Sequence, residues 1–149
     1  MKRLMLCAGT MRRPGWKTVD ANEETKPDYL AWIPPLPEAV TSQKWDEVEW
    51  IHGVTSFYPW EAEQIVLEVK AILVPGGKFV LEQPDFSKAD RLEWIFGDPR
   101  PHDPLHMNRW AYTPESLTVL LDRSGFSRIE VLPAKHHFPA RDFRIECSR

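Results

Sequence analysis

Residues 4–20 read LMLCAGTMRRPGWKTVD, two short apolar runs around a polar turn. The run LML is typical of a buried strand, and CAGT stops it. After Pro14 and Gly15, which mark a turn, the run WKTV predicts a second strand that closes on Asp20. Only ten residues separate Gly9 from Asp20, fewer than a crossover with a helix normally needs. We therefore expect a loop or a single turn between these strands.

Strand and helix patterns alternate along the rest of the chain. Short apolar or alternating runs bounded by turn residues predict further strands at residues 28–32, 45–51, 78–82, 126–132 and 142–147. The clearest helix starts at Pro59, and Pro75 with the two glycines after it stops that helix. A second helix has Thr113 as its N-cap and ends at Gly125. Residues 91–96 predict one or two further helical turns.

This order of elements predicts an α/β fold. It is a Rossmann-like sheet of seven strands, mostly parallel with an antiparallel last strand, and its helices are few and short. No composition break or repeat divides the chain, so residues 1–149 are expected to form a single domain.

Composition excludes several classes of function. The net charge of −3 argues against non-specific nucleic-acid binding, which needs a strongly basic surface. No apolar run is long enough for a membrane span, and the apolar N-terminal stretch is too short for a signal peptide. Two cysteines at opposite ends suggest no disulfide framework. We expect a cytoplasmic protein without a membrane partner.

Seven tryptophans are too many for full burial in a core of this size. Some should line a pocket or a subunit interface, where aromatic residues concentrate. Such exposed aromatic residues on so short a chain favour a homodimer.

The candidate site lies at the carboxyl ends of the predicted strands, where ligands bind in open α/β sheets. Gly9 lets the backbone after the first strand approach a ligand, and Asp20 can accept both hydroxyls of a ribose. The apolar side chains of Trp32 and Ile33 can sandwich an adenine. Taken separately, one glycine and one aspartate are ordinary turn residues, but together these positions predict a nucleoside site.

These motifs, in this order, resemble the class I S-adenosylmethionine-dependent methyltransferases. The resemblance is closest to a compact bacterial and phage-like branch whose pattern is a strand, Gly-x-Gly, a short loop, Pro-Gly-Trp and a strand ending in Val-Asp. The matching stretches are LMLCAG (4–9), PGWKTVD (14–20), LVPGGK (73–78), PDF (84–86), YTPESL (112–117) and SGF (124–126).

The resemblance implies S-adenosylmethionine as the cofactor. The cofactor-binding residues are then expected to be Cys7, Ala8, Gly9, Thr10, Asp20, Ala21, Trp32, Ile33, His52 and Gly53. His52, Asp85 and His106 are the catalytic candidates near the methyl acceptor. Of these, His106 matches a position in the family's loop over the acceptor pocket, where it would bind substrate or act as a general base; a structural His106 is an equal alternative.

Three pocket positions depart from the family pattern. Cys7 stands where the family has glycine, and its side chain would crowd the methionine part of the cofactor. Trp32 replaces an acid near the adenine amine. The family's His-x-x-Glu-His after the fourth strand reads HGVTS from His52, so the Glu-His pair is missing.

Two functions therefore stay open. The first is in-line methyl transfer to an unidentified acceptor, small or macromolecular, which needs alignment and exclusion of water more than a special catalytic residue. The alternative is a non-catalytic, methyltransferase-like binding or interaction protein with a degenerate cofactor pocket. A dinucleotide-dependent enzyme fits less well, because Gly9 stands alone and the first helix is missing.

No metal site is predicted from the sequence. His102 and His106 are four residues apart, but Pro104 between them prevents helical spacing. With these residues, His136, His137 and Cys147 offer ligand types for a zinc site but match no zinc-binding motif, and histidines outside a motif are usually surface residues.

Overall fold

The protein folds around one seven-stranded sheet, in a computed structural model that describes residues 1–100, 102–104 and 107–149. The strands are β1 (Arg3–Leu6), β2 (Trp16–Asp20), β3 (Tyr29–Leu30), β4 (Trp45–Ile51), β5 (Leu73–Pro84), β6 (Ser127–Pro133) and β7 (Asp142–Ser148). The α-helices of the described residues are α1 (Glu38–Thr41), α2 (Pro59–Ile72), α3 (Leu92–Phe96) and α4 (Pro114–Arg123). Short 3-10 turns lie at Glu23–Thr25, Val54–Ser56 and Phe86–Lys88.

The strand order is β3-β2-β1-β4-β5-β7-β6. Neighbouring strands from β3 to β5 are parallel, whereas β7 runs antiparallel to both β5 and β6. Strand order therefore reverses at β1, which has β2 on one side and β4 on the other. The predicted α/β fold, with a mostly parallel sheet and an antiparallel last strand, is confirmed.

The helices begin and end where local chemistry predicts. Glu61 accepts a hydrogen bond from the backbone N–H of Tyr58 at 2.9 Å, which caps the start of α2. At the start of α4, Thr113 Oγ1 accepts from the N–H of Ser116, and Ser116 Oγ accepts from the N–H of Thr113. Gly125, at φ +82°, follows α4 and takes the left-handed conformation that ends it. None of the helices in the described segments is long and apolar enough to cross a membrane.

Strand β5 is longer than the predicted residues 78–82. Leu73 pairs with Trp45, but the next pair joins Lys78 to Glu47, so residues 74–77 bulge out of the ladder. The Pro-Gly-Gly stretch ends α2, as predicted, and also forms this irregular entry into the strand. In contrast, β3 is shorter than its prediction, because only two residues pair with β2.

One face of the sheet carries the apolar core. Helices α1, α2 and α4 contribute buried side chains that cluster with the alternate residues of β1, β4, β5 and β7 on this face. The cluster includes Leu4, Leu6, Val48, Trp50, Phe79, Leu81, Ile145, Val40, Ile65, Val66, Val69, Leu117 and Leu121. Burial of these residues supplies the main driving force for folding.

The opposite face of the sheet has charged side chains at its centre. Arg144 is 4% exposed and contacts Glu146 at 2.7 Å, Glu82 at 3.4 Å and Glu49 at 4.0 Å. From the loop after β1, Arg13 pairs with the same Glu49. Charge pairs therefore fill positions that apolar residues occupy on the helical face.

In the part of the chain that the structure describes, loops and not helices cover this charged face. Right-handed crossovers place the β1–β2 and β2–β3 connections on the side opposite α1 and α2. Residues 7–15 contain no helix, as predicted, and residues 21–28 contain only the 3-10 turn. The second covering segment is the turn between β6 and β7, whose backbone N–H groups at residues 135–137 donate to Glu82.

Replacement of Arg144 tests the role of this network in stability. Arg144→Met is expected to lower the free energy of unfolding by about 3–5 kcal/mol, because Glu82 and Glu49 stay buried without their shared cation. Urea unfolding at neutral pH measures the difference. The control is Arg100→Met, which removes an exposed guanidinium paired with a half-buried Asp98 and should change little. Equal effects of the two substitutions would show that the buried network does not stabilise the fold.

Glu146 gives the network a pH dependence. Burial opposes its ionisation, but hydrogen bonds from Lys78 and Arg144 outweigh burial and lower its pKa to about 2, from 4.5. Its contribution to stability is therefore complete above pH 4.5 and is lost as pH falls towards 2. Thermal unfolding should show Glu146→Gln less stable than the wild type at neutral pH, with the gap closing in acid. A gap that is constant with pH would contradict this assignment.

Candidate functional site

A cavity of about 580 Å³ lies where the first four strands end. Each of these strands contributes residues from the turn that follows it or from its last position. The lining includes Cys7 and Gly9 after β1, Asp20 and Ala21 at β2, Trp32 and Ile33 after β3, and His52 and Gly53 after β4. Its volume is that of a small-molecule site, and its position is the crevice at which strand order reverses.

Asp20 ties the turn after β1 to the end of β2. Its carboxylate accepts the backbone N–H of Gly9 at 2.7 Å and that of Asn22 at 2.9 Å. A carboxylate has about four acceptor positions, so Asp20 keeps capacity for a ligand in the cavity that it lines.

Trp32 and Ile33 form the wall of the cavity beyond β3. The Trp32 side chain is 74% exposed although it lines the cavity, whereas Ile33 packs into the core. An exposed indole at a cavity opening offers a flat face for stacking.

Cys7, Trp50 and Gly53 pack together at the base of the cavity. A Cβ on Gly53 would lie 2.3 Å from Trp50 Nε1 and 2.9 Å from Cys7 Cβ, so only glycine fits there. Trp50 Nε1 is buried and has no hydrogen-bond partner among the described residues. Burial raises the pKa of Cys7 to about 12, although the nearby Trp50 indole lowers it. Cys7 is therefore a neutral thiol and not a nucleophile at neutral pH.

His52 is held by a buried carboxylate. Its Nε2 lies 2.8 Å from Oδ2 of Asp142, the first residue of β7. Burial and the neighbouring His137 lower the pKa of His52, although Asp142 opposes them, so the ring is neutral at pH 7. For Asp142, burial raises the pKa, but hydrogen bonds from Arg141 and His52 outweigh it and lower the pKa overall. The neutral ring then donates Nε2–H to the carboxylate.

His137 stacks on His52, with ring centroids 3.6 Å apart and planes at 24°. Its turn is fixed by Glu82, which accepts the backbone N–H groups of Lys135, His136 and His137 at 2.7–3.0 Å. Burial raises the pKa of Glu82, but these hydrogen bonds outweigh it and lower the pKa overall. A charged residue of the sheet thus positions a side chain beside the cavity.

The opening of the cavity carries charge and aromatic surface. Glu61 and Arg109 line it and lie 4.0 Å apart. The Arg109 guanidinium lies 5.3 Å from the centroid of the Tyr58 ring, and that ring stacks on Trp60. The backbone N–H of Arg109 donates to Thr55 O at 2.7 Å, which fixes Arg109 to the turn after β4.

Most of the predicted cofactor-binding residues meet in this one cavity. Of the ten, only Ala8 and Thr10 are not part of its lining. Among the predicted catalytic residues, His52 lines the cavity. Asp85 does not: it caps the 3-10 turn after β5 by accepting from Ser87 N and Oγ. His106 lies outside the described residues.

The sequence did not predict four residues as part of the site: Asp142, His137, Glu61 and Arg109. The position of Asp142 could have been predicted. A last strand that is antiparallel to β5 begins at the edge of the sheet where the parallel strands end, and Asp142 pairs with Pro84 at this edge. The position of His137 could not, since it depends on the turn that Glu82 organises.

Comparisons with known proteins give a fold. No protein-family model matches the chain, and no curated protein matches it. Among solved structures, S-adenosylmethionine-dependent methyltransferases from Archaeoglobus fulgidus and Thermotoga maritima each superpose with a TM-score of 0.72 at 15% identity. The alignments cover 99% of this chain and 86% and 81% of theirs. A third such enzyme, from Clostridium acetobutylicum, gives 0.71 at 12% identity, over 99% of this chain and 83% of that one. This chain therefore has the fold of the class I S-adenosylmethionine-dependent methyltransferases.

Proposed function

We propose that this protein is an S-adenosylmethionine-dependent methyltransferase that binds its cofactor in the cavity at the ends of β1–β4. The observation that carries the proposal is the cavity itself, which sits at the switch point of a methyltransferase sheet and contains eight of the ten predicted binding residues. Its acceptor would enter beside His52, Glu61 and Arg109.

The residues present fit a nucleoside cofactor. Gly9 has φ +52° and nothing within 4 Å of the position of a Cβ, so a ligand can approach its backbone. Asp20 would accept ribose hydroxyls with its remaining acceptor positions, and Trp32 would hold the adenine by stacking.

The cofactor supplies a methyl group on a sulfonium, which is already activated for displacement. What the protein must provide is in-line alignment of the acceptor and exclusion of water. His52 would contribute to alignment. Asp142 accepts its Nε2–H, so Nδ1 is free to accept a hydrogen bond from a hydroxyl or amine of the methyl-accepting substrate. Arg109 and Glu61 would bind polar groups of the same acceptor at the opening.

A non-catalytic interaction protein is the second candidate, and the exposed aromatic residues favour it. Trp60 and Trp110 are 67% and 50% exposed, and Tyr58 is 43% exposed. Such residues are enriched where proteins bind other proteins. Cofactor affinity separates the two candidates, since only the enzyme needs it.

Calorimetric titration with S-adenosylmethionine and S-adenosylhomocysteine tests the proposal. We expect the wild type to bind both. Trp32→Ala should weaken binding about 5-fold to 150-fold, because stacking on an aromatic side chain contributes about 1–3 kcal/mol. The control is Trp60→Ala, which removes an equally exposed tryptophan outside the cavity lining and should bind like the wild type. No binding at millimolar cofactor would refute the enzyme and favour the interaction protein.

Asp20→Ala tests the predicted ribose contact in the same titration. It should abolish measurable binding, because it removes both the carboxylate that would accept the ribose hydroxyls and the hydrogen bond from the Gly9 N–H. The exposed Asp122→Ala on α4 is the matched control, and thermal unfolding of both variants separates loss of binding from loss of fold. A folded Asp20→Ala variant that binds normally would contradict the assigned ribose site.

Cys7→Gly tests the crowding of the cavity. Cys7 has φ +51°, a conformation that favours glycine, and its side chain lines the cavity. The substitution is expected to tighten S-adenosylmethionine binding by enlarging the site without a large loss of stability. Cys7→Ala keeps the Cβ and separates the effect of the sulfur from that of the backbone. Weaker binding by Cys7→Gly would mean that the thiol contacts the ligand favourably.

A further inference from the structure

We propose that His52, His137 and Asp142 form a binding site for a divalent ion of the zinc class. One potential ligand atom from each residue lies within 4.8 Å of the other two. Two imidazoles and one carboxylate are donors that zinc prefers, and three protein ligands leave further coordination positions open. The site goes beyond methyl transfer, because its occupation by an ion does not require the cofactor.

The closest pair of ligand atoms lies near the spacing that a shared ion needs. His52 Nε2 and Asp142 Oδ2 are 2.8 Å apart. Two atoms that are each about 2.0–2.1 Å from a tetrahedral zinc lie about 3.3–3.4 Å from one another, so this pair opens by about 0.5 Å to take up an ion. The His137 ring stacks on the His52 ring with centroids 3.6 Å apart, and it turns out of the stack to point its own lone pair at the same ion.

The groups behind these three side chains resemble the support that metal sites need. Arg141 donates to both oxygens of Asp142 and fixes the carboxylate. Glu82 accepts three backbone N–H groups from the turn that carries His137. The His137 Nδ1 is inaccessible, has no hydrogen-bond partner among the described residues and lies 3.6 Å from Glu82 Oε1. A carboxylate beside a ligating histidine orients the ring.

The charges around the cluster set the expected affinity. Asp142 and Glu82 are balanced by Arg141 and Arg144 without an ion. Since Arg141 shares the Asp142 carboxylate with the ion, we expect micromolar binding, weaker than that of structural zinc sites.

An ion here would change the wall of the cavity. His52 lines that cavity. A bound ion takes the lone pair of Nε2, so the proton of the neutral ring moves to Nδ1. That nitrogen then becomes a donor instead of an acceptor. The open coordination positions would polarise an oxygen or nitrogen ligand at the same wall.

Zinc titration of the chelator-treated full chain, in competition with a chromophoric chelator, tests the site. The wild type is expected to bind one equivalent. His137→Ala should weaken binding at least about tenfold, and the adjacent His136→Ala should leave it unchanged, because His136 is outside the cluster. No binding at millimolar zinc, or equal losses in the two variants, would overturn the proposal.

Two further measurements keep the test independent of folding. Circular dichroism checks that His137→Ala, whose side chain is 35% exposed, keeps its fold. Cobalt should give visible ligand-field bands in the wild type and in His136→Ala, but not in His137→Ala. Unchanged bands in His137→Ala would exclude this histidine as a ligand and overturn the site.

Discussion

The short connection between β1 and β2 is the constraint on which the rest of the molecule depends. Residues 7–15 are fewer than a crossover with a helix normally needs, and the β2–β3 connection contains only a 3-10 turn. Among the described residues, one face of the sheet therefore lacks a helical layer. Buried strands there cannot bury apolar side chains against helices, so the sequence places carboxylates and guanidinium groups on it. Arg144 stabilises this arrangement, because it is the buried cation that Glu82, Glu49 and Glu146 share.

The charged face and the cavity are parts of one arrangement. Glu82 pairs with Arg144 in the sheet and also fixes the turn that brings His137 beside His52. Asp142 begins β7 at the same edge and holds the His52 ring. Side chains that stabilise the sheet therefore also orient the side chains that would meet an acceptor or an ion. At the end of β2, Asp20 has a similar double role, since it ties Gly9 to β2 while lining the cavity.

Local patterns predicted the fold, and the rule on strand ends predicted most of the cavity lining from β1 to β4. Thr113, Gly125 and the Pro-Gly-Gly stretch mark helix boundaries through interactions with near neighbours, so sequence alone reveals them. The positions of Asp20 and Trp32 follow from the rule that ligands bind at the carboxyl ends of strands. In contrast, His137 and Arg109 reach the cavity through turns that distant residues organise, Glu82 in one case and Thr55 in the other. No spacing in the sequence records such contacts. The α1 helix was also missed, because four residues are too short to show a period.

The place of β7 in the sheet has a consequence for synthesis on the ribosome. β7 is seventh in the sequence, yet it pairs between β5 and β6. Until it emerges, β5 has an open edge and β6 has no strand to pair with, so a nascent chain exposes unpaired backbone on both. Asp142 is the first residue of β7, so His52 cannot form its hydrogen bond with Asp142 until this strand has been synthesised. The emergence of β7 thus completes the sheet between β5 and β6 and the contact that holds His52 at the cavity wall.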